Sequence, residues 1–336
     1  MYGEGVRARN DAEALRIGQM VHTALEAWLN ARTDHPEESD RWVLAAVEAI
    51  AGRGIDSYEQ AKVEEMVVGY HLYWRGAHFD VVAVEHQFVA SVDNPETSGK
   101  SRTYMHAGKI DGVVRWDGRL CLLEHKTCGE EIDDPSSGYW ETLAMDSQVS
   151  LYYIGASSLE FELEGCLYDV LKKPGLRPAK ATPEDQRKYT IAKVDKKTGE
   201  ILEPSRLYAN QREADETPQE YRERIRKAIE AEPDRYYVRH EIHRSELQIE
   251  EFRYDAWAKQ TTLRETHNAV RRVGLRAAPR TPAACHRWGR CLFFDVCSVG
   301  LNPDDFPDRF VRVENMHPEL NPDLIRSLMG KEQVAE

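Results

Sequence analysis

Residues Ala107–Thr127 read AGKIDGVVRWDGRLCLLEHKT, two apolar runs separated by Asp117-Gly118. Asp-Gly between hydrophobic runs is a strong hairpin signal, because both residues tolerate the positive φ of a type I′ turn. A two-residue turn there pairs Trp116 with Arg119, sets Asp111 opposite Glu124, and sets Lys109 opposite Lys126. Side chains alternate along a strand, so Asp111, Glu124 and Lys126 are expected on one face, with Cys121, Leu123 and His125 on the other. Directly opposed residues hold their Cβ atoms about 5 Å apart, and two carboxylates at that distance repel unless a cation lies between them. A hard divalent ion such as Mg²⁺ or Mn²⁺ takes oxygen ligands of this kind, completed by water and phosphate. The Lys126 ammonium would stand over the same spot, where it can orient a water or stabilise a pentacovalent phosphate. The alternative reading of the same residues is a solvated edge-strand face with a Glu–Lys surface pair.

The flanking chain supplies the context. Residues 12–31 place Leu15, Val21, Ala24, Leu25, Trp28 and Leu29 at helical spacing, with His22 and Glu26 sharing a face. Residues 38–50 and 57–75 predict two more helices, the second rich in aromatic residues (Tyr70, Tyr73, Trp74). Residues 80–90 predict a strand, joined to the hairpin through a polar turn at Asp93–Lys100. Beyond the hairpin, an acidic loop (129–138) leads to a helix over 140–159 carrying Gln148 and Tyr152 four residues apart. LEGCLYDVL (163–171) predicts a strand running into Lys172-Lys173-Pro174. Residues 176–245 are polar and read as an insertion or lid, with a hairpin near Asp195–Gly199 and a helix whose Thr217, Pro218 and Glu220 form a capping box. Ser245 and Gln248 open a long helix reaching about Val273. Residues 246–300 combine that helix with a cysteine segment expected to pack back on the core, and 301–336 form a polar tail.

The chain has 336 residues, 41% hydrophobic and 31% charged, with a formal net charge of −13. No apolar run is long enough to span a membrane, and no apolar leader opens the sequence, so a cytoplasmic location is expected. An even spread of negative charge would disfavour nucleic acid, but the charge is not even. Arg264, Arg271, Arg272, Arg276, Arg280, Arg287 and Arg290 fall in a stretch with a single acid, Glu265, and Lys172, Lys173, Arg177 and Lys180 form a second basic patch. Such patches can grip phosphate while the remaining surface stays acidic. In that compartment the six cysteines are not expected to form disulfides.

Taken in order, G-x-x-x-H (Gly18 to His22), G-x-x-D (Gly108 to Asp111), E-x-K (Glu124 to Lys126) and Q-x-x-x-Y (Gln148 to Tyr152) resemble the RecB-like nucleases of the PD-(D/E)XK superfamily. The likeness covers roughly residues 12–175, within an expected nuclease core at 1–175. It implies an α/β (α+β) fold of the restriction-endonuclease type: a central mixed sheet flanked by helices, with a helical and hairpin insertion and a C-terminal cysteine segment. It also implies that His22, Asp111 and Glu124 ligate Mg²⁺ or Mn²⁺, with the Leu123 carbonyl nearby. Lys126 would assist the attacking water, and Gln148 and Tyr152 would contact DNA or brace the site. Lys172 becomes a candidate phosphate contact, with Arg271 and Arg272 as further nucleic-acid contacts.

Cys285-x5-Cys291-x5-Cys297 resembles the C-terminal cysteine triplet of the iron–sulfur members, the AddB-type helicase-nucleases and the CRISPR-adaptation exonucleases. Those members place a fourth cysteine before the histidine helix, whereas here no cysteine precedes Cys121. A [4Fe-4S] cluster, a Zn²⁺ site using His286, and a packed thiol cluster are the three readings of this segment. The expected activity is a metal-dependent DNA exonuclease of recombination, repair or phage DNA processing, acting on single strands or duplex ends. The alternatives are a catalytically silent nucleic-acid-binding module that partners a helicase or single-strand-annealing protein, and an iron–sulfur or zinc protein.

Overall fold

The structure, a computed structural model, describes residues 5–9, 12–143, 145–195, 198, 200–274, 277–286, 290–317 and 319–327. The elements run β1 (Val6–Ala8), α1 (Glu13–Asp34), α2 (Ser39–Ala49), α3 (Ser57–Trp74), β2 (Asp80–Asp93), β3 (Lys100–Trp116), β4 (Arg119–Cys128), α4 (Gly138–Leu143), α5 (Ser147–Ser158) and β5 (Gly165–Lys172). They continue with β6 (Lys193–Val194), β7 (Ile201–Glu203), α6 (Pro218–Ala231), α7 (Pro233–Tyr236), β8 (Tyr237–Ile242), α8 (Glu246–Val273), α9 (Phe294–Val299) and β9 (Phe310–Arg312).

Among the described residues the main sheet has five strands in the order β2-β3-β4-β5-β8. It is mixed: β4 and β5 run parallel, while β2–β3, β3–β4 and β5–β8 are antiparallel. The parallel pair needs a crossover, and α4 and α5 provide it. Both faces of the sheet are covered, which is why β5 is buried along its whole length. One face packs Cys121, Leu123, Leu167 and Leu171 against α1, α2, α3 and α6. The other packs Val113, Leu122, Cys166 and Val170 against Trp140 and Leu143 of α4 and Val149 and Tyr152 of α5. This is the mixed α/β fold that the sequence predicts.

Three expectations are refined. The single helix expected over 140–159 is two, because the Asp146 carboxylate accepts the Gln148 N–H at 2.7 Å and caps a new helix there. Residues 218–242, read as part of an insertion, build into the core. Tyr221, Ile225 and Ile229 of α6 are buried against α3, and β8 closes the sheet beside β5. The helix start and capping box at Thr217 stand as expected, but the residues that bury α6 lie far away in sequence. Finally, the tail carries β9, which pairs with β1, and Asn321 donates its backbone N–H to Gln87 Oε1 of β2 at 2.9 Å. Among the described residues no helix is long and apolar enough to cross a membrane.

Candidate active site

The hairpin turn has the conformation its sequence dictates: Asp117 and Gly118 both have positive φ, 51° and 75°, and Trp116 opposes Arg119. From there the β3–β4 ladder runs through Arg115↔Leu120, Val114↔Cys121 and Val113↔Leu122 to Gly112↔Leu123, where it ends. Beyond that point β3 stays with β2 and β4 stays with β5, so the sheet forks. Asp111 and Glu124 are the first residues past the fork. In place of the next ladder bond, the Asp111 carboxylate accepts the His125 backbone N–H at 2.9 Å. The fork also means that Lys109 does not face Lys126. Lys109 lies opposite Gln87 and its ammonium pairs with Glu85.

Glu124 and Lys126 project together. Lys126 Nζ donates to Glu124 Oε1 and, at 2.7 Å, to Gln148 Oε1, and Gln148 Nε2 donates to the Tyr152 hydroxyl at 2.6 Å. The cap at Asp146 and the four-residue spacing on α5 bring Gln148 and Tyr152 to this line. Asp111 makes its contacts with His22 of α1, whose Nδ1 lies 3.3 Å from Oδ1, and with His125, whose Nδ1 lies 3.7 Å from Oδ2. Gly18, one turn before His22, faces Thr127 Oγ1 of β4 with room only for an ordinary contact, so α1 can approach the strand closely. The two carboxylates thus engage different partners.

The electrostatics show how close these charges are. Burial pushes the Glu124 carboxyl up, the Asp111 charge adds to this, and the attraction of Lys126 only partly offsets them, leaving its pKa at about 8. Burial also opposes ionisation of Asp111, but His22 and the hydrogen bonds of His125 and His22 hold it well below the usual carboxylate range. Burial pulls the His22 imidazole down, yet Asp111 and then Glu124 outweigh it and leave its pKa raised. For Lys126 burial is likewise outweighed, here by Glu124.

Among the described residues no group of three or more His, Cys, Asp or Glu side chains is assembled to hold a metal ion as it stands. At the fork the would-be ligands are engaged with each other and with Lys126. The donor set nevertheless fits a hard cation. Glu124 is 1% exposed and its Oε2 has no hydrogen-bond partner, and an anionic oxygen buried next to a second carboxylate is what a divalent ion stabilises.

The other candidates fall elsewhere. Lys172 ends β5, two residues past Val170, which pairs with Lys126. Its ammonium meets Glu131, which Arg235 also holds at 3.0 Å. Arg271 and Arg272 lie in the last turn of α8, about 16 Å along the axis beyond the buried Gln260, and are not brought to the fork. Arg276 and Arg287 lie outside the described residues. Cys285 and Cys291 are joined by a backbone hydrogen bond of 2.8 Å from the Cys291 N–H to the Cys285 carbonyl; Cys285 and Cys297 are half-buried and Cys291 is exposed. His286 packs on Phe294, with 5.4 Å between ring centroids.

The fork of the mixed sheet thus carries D…ExK, with the histidine helix α1 on one face and the Gln–Tyr helix α5 on the other. The family model of the PD-(D/E)XK nuclease superfamily matches residues 1–297, and the chain belongs to that superfamily. No curated protein matches. Eleven solved chains do. One is the crystal structure of SSO0001, 14% identical, with 84% of this chain and 86% of that chain covered and a TM-score of 0.29.

Proposed function

We propose that this chain is a Mg²⁺- or Mn²⁺-dependent deoxyribonuclease that degrades DNA from an end, in recombination, repair or phage DNA processing. The observation that carries this reading is the hydrogen-bonded line Glu124–Lys126–Gln148–Tyr152 beside the Asp111–His22 pair at the fork. His22, Asp111 and Glu124 would hold the ion. When bound, it supplies Lewis-acid stabilisation of the phosphate oxygens and a more acidic water. The protein's own part is positional. Lys126 holds Glu124 by Oε1 and leaves Oε2 for the ion, and Gln148 would keep the ammonium beside the reacting phosphate, where it would orient the attacking water. Tyr152 fixes the Gln148 amide. Lys172 and the arginines of α8 would grip the phosphate backbone away from the scissile bond.

Cleavage of end-labelled single- and double-stranded DNA with Mg²⁺ or Mn²⁺ tests this, with Lys126→Ala as the control variant. Progressive shortening by the wild type, reduced at least a hundredfold in the variant, is the expected result. Wild-type protein that binds DNA without cutting it would favour the silent binding module, and protein that neither binds nor cuts would turn attention to the cysteine segment.

A further inference from the structure

Behind the fork lies a set of buried polar groups that the cleavage scheme does not use. His125, between Glu124 and Lys126 in sequence, is 2% exposed and turns to the α3 side of the sheet. Its Nε2 lies 3.4 Å from the Tyr70 hydroxyl. That hydroxyl donates to Asp169 Oδ2 at 2.8 Å. Asp169 is fully buried in the otherwise apolar stretch GCLYDVL, and the same Oδ2 receives Arg239 of β8, whose Nε lies at 3.2 Å. The Arg239 guanidinium is sealed under Trp74, 4.1 Å from the ring centroid. Five residues from α3, β4, β5 and β8 therefore converge on one buried point.

The proton arrangement follows from the donors. Tyr70 has one proton. Burial and the neighbouring Asp169 charge push its pKa far above the ordinary tyrosine value, so it keeps that proton and gives it to Asp169. Its oxygen is then an acceptor only, and both His125 Nε2 and Arg239 Nη2 approach it at 3.4 Å. His125 is thus held at Nε2 against Tyr70, while its Nδ1 lies 3.7 Å from Asp111 Oδ2, beyond hydrogen-bond range. The same residue supplies the backbone N–H that holds Asp111 where the ladder ends.

We infer that Tyr70, Asp169 and Arg239 are positioning residues: they fix the His125 side chain in one place, and through the His125 backbone N–H, which donates to Asp111 Oδ2 at 2.9 Å, set the Asp111 carboxylate for the metal ion. The inference rests on the metal-dependent reading above. Partners behind a ligand's own shell set its orientation, and their loss commonly costs tenfold to a hundredfold in metal affinity or activity.

The test is Mn²⁺ binding to the full chain without DNA, followed by calorimetry, for wild type, Tyr70→Phe, His125→Ala and the double variant. Tyr70→Phe keeps the ring packing and removes one hydroxyl. It is expected to weaken Mn²⁺ binding about tenfold to a hundredfold, together with a lower thermal midpoint of the metal-free protein, because the buried Asp169 loses a donor. In the His125→Ala background the same change should have almost no effect, because the relay acts through the imidazole. A purely structural role would lower the midpoint with Mn²⁺ affinity within twofold of wild type, or give losses that add in the double variant. Arg239→Lys keeps a cation on Asp169 but drops the approach to Tyr70, and reads the same relay where Tyr70→Phe does not fold. Wild type that takes up Mn²⁺ with both Tyr70→Phe and Arg239→Lys within twofold of it overturns this inference alone, whereas wild type that takes up none overturns the metal-dependent reading and the relay together.

Discussion

Burial and the Asp111 charge favour the protonated form of Glu124, and as a metal ligand it would have to shed that proton. Its pKa of about 8 arises from burial and from Asp111, and a cation between the two carboxylates removes both causes at once. Mn²⁺ uptake should therefore release a proton, and the apparent affinity should fall close to tenfold for each pH unit below about 8. Isothermal titration in buffers of different ionisation enthalpy reads that proton directly; an affinity flat from pH 6 to 9 would show that Glu124 is not the ligand. The sign for the metal-free fold is the reverse. A carboxyl raised above its ordinary value of 4.5 contributes stability that is present at low pH and is lost as the pH rises through about 8. Glu124→Gln mimics the neutral form, so it should fold at least as stably as wild type at pH 8 while losing activity at least a hundredfold, a separation that melting curves and cleavage assays can check. These residues were legible because D…ExK is short-range, fixed by one turn and strict alternation. Tyr70 and Arg239 were not, since nothing local distinguishes them. Asp169 alone left a trace, an acid in an apolar strand.

At the scale of the element, α5 carries the most exacting fit. A Cβ at Gly155 would lie 2.5 Å from the Phe88 ring, and one at Gly108 would meet the same ring at 2.7 Å. Phe88 is thus gripped between β3 and α5, and the two glycines let the helix lie close enough for Gln148 to reach Lys126. Gly155→Ala should cost about 1–3 kcal/mol of stability by overpacking, and should also lower kcat by lifting α5 from the sheet. Removing the cap with Asp146→Ala should cost about 1 kcal/mol. Denaturant unfolding measures both, and an unchanged midpoint for Gly155→Ala would mean that Phe88 yields freely. The sequence announces the Q-x-x-x-Y spacing and the Asp117-Gly118 turn. It does not announce the break before α5, because Trp140 and Leu143 continue the apolar pattern across it; only the Asp146 cap resolves the two helices.

For the whole molecule, the proposed grip on substrate would fall at the end of α8, apart from the proposed chemistry. Arg271 and Arg272 stand near the far end of α8, whose buried contacts cease at Gln260. Replacing both by Ala should reduce the slope of log affinity against log salt by about 2 for duplex DNA, leaving kcat at saturating DNA within about twofold; a slope equal to wild type would mean that the arm never meets the backbone. Local rules determined a good deal of this protein: the hairpin, its turn, the order of the helices, the capped starts of α6 and α8, and the residues able to hold a cation. Each depends on neighbours within a few positions, where turn chemistry and periodicity act. The tertiary structure alone decided the rest. Strand β8 reaches the sheet from some 70 residues beyond its partner β5, α6 fills the core against α3, and the sheet forks after Gly112 and Leu123. Long-range pairing obeys burial and hydrogen-bond satisfaction over the entire chain. The fork, which parts Asp111 from Glu124, is a product of that global accounting.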